Sequence, residues 1–295
     1  MATACHPFAG FASAIVVLVL EVSSSGEAHF EDEDDDEEED DWKRESWTLM
    51  RRSLYIPARV MSLADLRREY NLGGLRRKDL DPDPIVQFQR WFDQATGARA
   101  SGRLRKFFVK LYKSLLMIYG VEMVDINAMT LATVDHEGKP SARIVLLKGM
   151  DRRGFIFFTN YNSRKGRELD GNPHAALVCY WPELERQVTV AGTVTKVPDA
   201  ESDAYFASRP YGSRIAAWAS DQSQVVRDRA ELEAKWQTFE KRYSGPEVPR
   251  PSHWGGYVLS PTRLEFWQGR PNRLHDRFRY TRQQDNSWLI ERLSP

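Results

Sequence analysis

Residues 127–150 read NAMTLATVDHEGKPSARIVLLKGM. Two apolar, β-branched runs, 127–134 and 141–150, flank HEGKP, a turn marked by Gly138 and Pro140. The stretch therefore predicts two successive strands. The same texture continues with GFIFFTN (154–160), HAALVCYW (174–181) and RQVTVAGTVTKV (186–197), and WGGYVLS, RLEFWQG and SWLIERL supply the last strands. Short strands at this spacing predict an antiparallel barrel or sandwich. Helices punctuate them. SRKGRELDGN (163–172) starts on a cap candidate, Ser163, and stops at Gly171. DAESDAYFASRP (199–210) and VRDRAELEAKWQTFEKRY (226–243) also read as helical. On the N-terminal side, Asp83-Pro84 opens a helix in which Ile85, Phe88, Trp91 and Phe92 recur at helical spacing and should pack on the core. The fold class is α+β, a β-barrel core with flanking helices.

At 295 residues the chain is long enough for a sizeable core. Formal net charge is zero, but residues 27–41, EAHFEDEDDDEEEDD, hold twelve of the 42 acidic residues and no Lys or Arg. The remainder carries 42 basic against 30 acidic residues, so the folded part should attract phosphates or other anions. Residues 1–60, with the acidic run, read as a disordered, self-repelling tail, and 61–295 as the folded domain. The apolar stretch 8–22 is too short for a membrane span, and no Lys or Arg precedes it, which weakens a secretory reading. Residues 101–120, SGRLRKFFVKLYKSLLMIYG, are basic and apolar together. They read as a peripheral insertion or translated non-coding sequence, with an amphipathic surface helix as the alternative. Cys5 and Cys179 are far apart, so a disulfide framework is excluded and a reducing, cytoplasmic setting is the default. The six histidines form no His-x-x-x-His or Cys/His cluster, so no metal is expected.

Four basic-polar clusters carry the candidate chemistry. Arg143 and Lys148 stand at the two ends of one apolar strand, with an odd separation that sends them to opposite faces unless a bulge intervenes. Arg164 and Lys165 fall in the first turn of a predicted helix, where basic residues are unfavourable unless an anion is bound to the free backbone amides. Tyr205, Arg209 and Ser213, four residues apart, would share one helix face as a second phosphate cup. In FWQGRPNRLHDRF (266–278), Arg273, His275 and Arg277 alternate, which on a strand places three basic groups on one face. Two phosphate cups and that face suggest two phosphorylated ligands, a cofactor and a substrate. There is no Walker loop, Gly-x-Gly-x-x-Gly or Gly-x-Ser-x-Gly. A basic barrel that binds nucleic acid is the competing class.

These motifs, with RREYNLGGLRRKDL, RIVLLKG, FFTNYNSRKGRELDGNP, ERQVTV, YFASRPYGSRIAAWASDQS, PSHWGGY and the closing RLSP, resemble the pyridoxine (pyridoxamine) 5′-phosphate oxidase family over residues 62–100 and 121–295. The resemblance implies an FMN-binding split β-barrel acting as a homodimer, with active sites at the subunit interface and no nucleic-acid or membrane partner. It implies oxidation of pyridoxine or pyridoxamine 5′-phosphate by O2 to pyridoxal 5′-phosphate and H2O2, with NH3 released from the amine. Another split-barrel flavoprotein, such as an FMN reductase, is the runner-up, but it has no use for a second phosphate cup. Carried over, the FMN contacts fall on Arg143, Ile144, Val145, Leu146, Lys148, Phe158, Thr159, Arg164, Lys165, Gln187, Gln222, Ser223, Trp267 and Arg277. The substrate contacts fall on Arg67, Arg68, Glu69, Tyr70, Lys148, Tyr205, Arg209, Ser213, Arg273, Leu274 and His275, with Arg273 and His275 as the catalytic pair. Arg214 and Gln224 depart from the family's usual Gln and Ser, and neither change removes a phosphate ligand.

Overall fold

The computed structural model describes residues 69–97, 125–245 and 247–295; the expected tail, the 101–120 insertion, Arg67 and Arg68 lie outside the described residues. The strands are β1 (Ala128–Val134), β2 (Pro140–Leu146), β3 (Gly149–Asp151), β4 (Gly154–Asn160), β5 (His174–Trp181), β6 (Arg186–Lys196), β7 (Trp254–Gln268), β8 (Asp276–Arg282) and β9 (Trp288–Leu293). All pair antiparallel. The path through the sheet is β2-β1-β5-β6-β7-β4-β3, with β8 on β7 and β9 on β8. Its two ends, β2 and β3, are consecutive in the chain, with only Leu147 and Lys148 between them. Strands joined so tightly cannot occupy opposite edges of a flat sheet, so the sheet curls back on itself into a half-barrel.

That corner corrects one expectation. Residues 141–150 are not a single strand. The Leu147 amide still donates to the Asn127 carbonyl (2.8 Å), whereas the Lys148 amide donates to Ile156 (2.9 Å). The chain thus leaves β1 for β4 between two residues, and the odd spacing of Arg143 and Lys148 no longer fixes their directions. The reverse holds for WGGYVLS and RLEFWQG, which form one continuous strand, β7. Pro261, which has no amide to donate, sits opposite Gly192 where the β6–β7 register shifts. A Cβ on Gly192 would lie 2.0 Å from the Ser260 carbonyl oxygen.

Alternation puts Met129 and Leu131 of β1, Phe155 and Phe157 of β4, Val188 and Val190 of β6, and Leu264 and Phe266 of β7 in the core. Cys179 of β5 is buried among them, and burial pushes its thiol up to about 12. Helix α1 (Pro84–Thr96) closes the barrel, with Phe88 fully buried and edge-on to Phe155 at 4.9 Å. The Asp83 carboxylate caps its first turn by accepting from the Ile85 amide (2.8 Å), and Gly97 ends it at φ 67°. Burying Phe88 and Trp91 contributes about 1.5–3 kcal/mol each.

The remaining helices are α2 (Arg164–Gly171), α3 (Asp199–Ser208), α4 (Tyr211–Ala219) and α5 (Arg229–Arg242). Helices α3 to α5 build a second apolar cluster around Phe206, Ile215 and Trp254, beside β4 and the start of β7. The segment before α1 docks near β8, with the Leu72 amide donating to Glu185 and the Leu75 amide to Asp276, each at 3.0 Å. Among the described residues no helix is long and apolar enough to cross a membrane.

Candidate active site

Between the half-barrel and the helical cluster lies a cavity of about 410 Å³. β2 lends it Ile144, Val145 and Leu146; the corner lends Lys148; β4 lends Phe158, Thr159 and Asn160. α2 contributes Lys165, α3 and its cap Tyr205 and Arg209, and the loop after α4 Ser220 and Gln222, with Trp254 at the back. Three of these residues are cationic and none is acidic. The cavity is therefore built for an anion.

Each cation is held differently. Lys165 is buried, and its Nζ donates to Thr159 Oγ1 (3.1 Å), Ser163 Oγ (3.3 Å) and Gln222 Oε1 (3.0 Å), all neutral acceptors. Burial, reinforced by the nearby Arg143 charge and opposed by Glu168, lowers its pKa to about 8. Ser163 caps α2, as expected from the sequence, and so aims this first turn at the cavity. Arg209 lies over the Trp254 ring at 4.6 Å, and its Nη1 is buried with no hydrogen-bond partner among the described residues. A buried guanidinium nitrogen left without an acceptor is costly unless a ligand supplies one. Phe158 and Tyr205 stack at 3.9 Å, with Trp254 nearly parallel to both.

The Tyr205-Arg209-Ser213 cup needs correction in form. Pro210 ends α3, so Tyr205 and Arg209 belong to its C-terminal end while Ser213 sits in the first turn of α4. They do not share a helix face. Tyr205 and Arg209 still line the cavity, and Ser213 does not. Arg164 also corrects the electrostatic expectation, because its Nε already donates to Glu168 four residues on (2.7 Å). Arg143 is bound to the same carboxylate (3.0 Å) and stands just outside the cavity lining.

The remaining expected residues lie outside the cavity lining. Gln187, Trp267 and Arg277 are directly opposed across β6, β7 and β8, so they project from one face. Arg277 is held by both oxygens of Glu265 (2.8 and 3.1 Å). Tyr70 meets Trp267 and His275 edge-on at 5.5 Å, and Trp267 and His275 are 4.7 Å apart. Arg273 and His275 are not strand residues. Arg273 closes a 3₁₀ turn (Pro271–Arg273) at φ 61°, and β8 starts only at Asp276, so the one-face reading of the three basic residues fails. Leu274 is exposed beside them and Glu69 is exposed at the start of the described chain. Ser223 occupies a turn at φ 71°, next to Gln222. His275 Nδ1 accepts from the Arg270 amide (3.1 Å), which puts the proton of the neutral ring on Nε2. Burial and the Arg273 charge lower its pKa, favouring that neutral form.

Sequence reasoning missed Trp254, Asn160 and Glu168. Trp254 was visible within PSHWGGY but carried no role, and Glu168 was marked only by its spacing from Arg164. Among the described residues no group of three His, Cys, Asp or Glu side chains is placed to hold a metal.

Residues 122–243 match the profile described as pyridoxamine 5′-phosphate oxidase, and residues 254–295 match the C-terminal dimerisation region of pyridoxine 5′-phosphate oxidase. The chain belongs to the pyridoxamine 5′-phosphate oxidase family. Its half-barrel is the family's FMN-binding split barrel. It is 55% identical over 236 residues to the pyridoxine/pyridoxamine 5′-phosphate oxidase of Paraburkholderia phymatum, spanning 80% of this chain and all of that one. It is 53% identical, with the same coverage, to the enzyme of that name from a Cyanothece species. Among solved structures, PhzG from Burkholderia lata 383, in complex with tetrahydrophenazine-1-carboxylic acid, is 30% identical. That match has a TM-score of 0.63 and covers 75% of this chain and 98% of PhzG. The oxidase family's dimerisation region contains Trp267, Arg273, His275 and Arg277, the residues that stand apart from the cavity.

Proposed function

We propose that this protein oxidises pyridoxine 5′-phosphate and pyridoxamine 5′-phosphate at the 4′ carbon, giving pyridoxal 5′-phosphate. For the alcohol, O2 is consumed and H2O2 released; for the amine, water also enters and NH3 leaves. The observation that carries this is Arg209. Its buried Nη1 has no hydrogen-bond partner among the described residues, and Arg209 lines the same cavity as Lys165, which supports a second place for phosphate beside that of Lys165.

FMN fits the place at Lys165. Lys165 with Thr159 and Gln222, backed by Arg143 and Arg164, would hold its phosphate, while Ser223 and the apolar edge of Ile144, Val145 and Leu146 would flank the rest. When bound, FMN supplies the two-electron redox chemistry and dioxygen restores it. The protein's part is positioning. Tyr205 and Arg209 would clamp the substrate phosphate, and Lys148, on the same cavity wall, would reach both ligands.

The partner chain of a homodimer would bring Gln187, Trp267 and Arg277 to the flavin. It would bring Arg273, Leu274, His275 and the Arg67–Tyr70 segment to the substrate ring. There His275 presents its Nε2 proton to the 4′ oxygen or nitrogen, and Arg273 steadies negative charge. Purified protein mixed in air with pyridoxine 5′-phosphate tests this. A flavin absorption spectrum with equal amounts of aldehyde and peroxide is the expected result, and folded protein giving neither would overturn it.

A further inference from the structure

Behind the two arginines lies a buried carboxylate. Glu168 is 6% exposed, and both of its oxygens accept hydrogen bonds. Oε1 accepts from Arg164 Nε (2.7 Å). Oε2 accepts from Ser141 Oγ (2.6 Å), Arg143 Nη2 (3.0 Å) and Thr133 Oγ1. Arg143 is tied further, through Nη1, to the Leu131 carbonyl (3.3 Å) and to Thr133. Groups from β1, β2 and α2 thus meet on one side chain.

The charge count is informative. Arg143, Arg164 and Lys165 surround this point, and Glu168 is the one carboxylate among them. Three cations against one anion leave a surplus of two positive charges, the complement of a phosphate monoester near neutral pH. Arg164 is bound only through Nε, so both terminal nitrogens remain for a ligand among the described residues. A carboxylate this near a phosphate site repels the phosphate, so its presence makes sense only through what it does to the arginines.

We propose that Glu168 is the positioning residue of the cofactor site. It locks Arg143 of β2 and Arg164 of α2 into one rigid pair that receives the FMN phosphate. This rests on the FMN reading above. The gain is preorganisation: two long, flexible side chains are ordered before the ligand arrives.

The test compares FMN with riboflavin, which lacks the phosphate. Full-length protein freed of flavin is titrated with each, following quenching of flavin fluorescence. Glu168→Gln should weaken FMN binding about tenfold or more, the scale usual for losing a second-layer partner, and leave riboflavin within about twofold. Glu168→Asp should recover part of the loss. If Glu168→Gln does not fold, Ser141→Ala removes one anchor of the same carboxylate and should show a smaller loss confined to FMN. Unchanged or tighter FMN binding, or equal loss for both flavins, would overturn the proposal. A wild-type protein that binds neither flavin would instead sink the FMN reading itself.

Discussion

If Lys165 holds the FMN phosphate as proposed, it makes cofactor binding pH-dependent. Its pKa, lowered by burial to about 8, means the ammonium is present below that pH and lost above it. Each unit above 8 should therefore weaken FMN by up to about tenfold. A bound phosphate raises this pKa, so binding just above pH 8 should take up a proton, seen by calorimetry in buffers of different ionisation heat. The same shift has the opposite sign for the flavin-free fold. That fold carries the cost of a buried ammonium below pH 8 and sheds it as pH rises towards 10.5. Arg209→Ala should raise KM for the phosphorylated substrate about 10- to 100-fold, from the ~1.5–3 kcal/mol of a hydrogen bond to a charged group. Steady-state kinetics would show it, and an unchanged KM would deny Arg209 the phosphate. That these two residues are cations near helix ends was legible in the sequence, and the structure brings both to one cavity. That Lys165 is buried among neutral acceptors was not, since burial depends on distant β4 and the turn at Gln222.

At the scale of elements, α2 shows how closely the site is held by backbone. A Cβ on Gly166 would lie 1.9 Å from the Tyr161 carbonyl oxygen. Helix propensity favours Ala over Gly by about 1 kcal/mol, yet Gly166→Ala should destabilise the protein by about 1–3 kcal/mol, because the first turn must shift. Denaturant melts and FMN occupancy should fall together, since Lys165 lies in that turn. Local signals located this helix well: Ser163 caps it as expected and Asp83-Pro84 opens α1. Failures came where tertiary pairing overrode local texture. Leu147 and Lys148 look like the middle of a strand, but their amides answer to Asn127 and Ile156 on different neighbours. RPNRLHDRF alternates like a strand, but Pro271 and the left-handed Asn272 and Arg273 turn it first. The break at Pro210 was readable from the residue itself.

For the whole molecule, the division of the expected residues between a cavity and a separate β6–β8 face has a direct test. If each site joins the cavity of one chain to that face of its partner, Arg209→Ala and His275→Ala chains should complement each other. A random mixture gives half heterodimers, each with one intact site, so about a quarter of wild-type activity should return at low substrate. Sites contained within one chain would recover none. Most strands and four of the five helices could be read along the chain, whereas this partition depends on how the sheet curls. The curl also determines the fate of Cys179. If the protein releases peroxide as proposed, it is its own first target. The one cysteine among the described residues is sealed in the barrel, and its thiol, at about 12, yields almost no thiolate at neutral pH. Since it is the thiolate that attacks peroxide, the protein should withstand many cycles of its own chemistry with this sulfur still reduced.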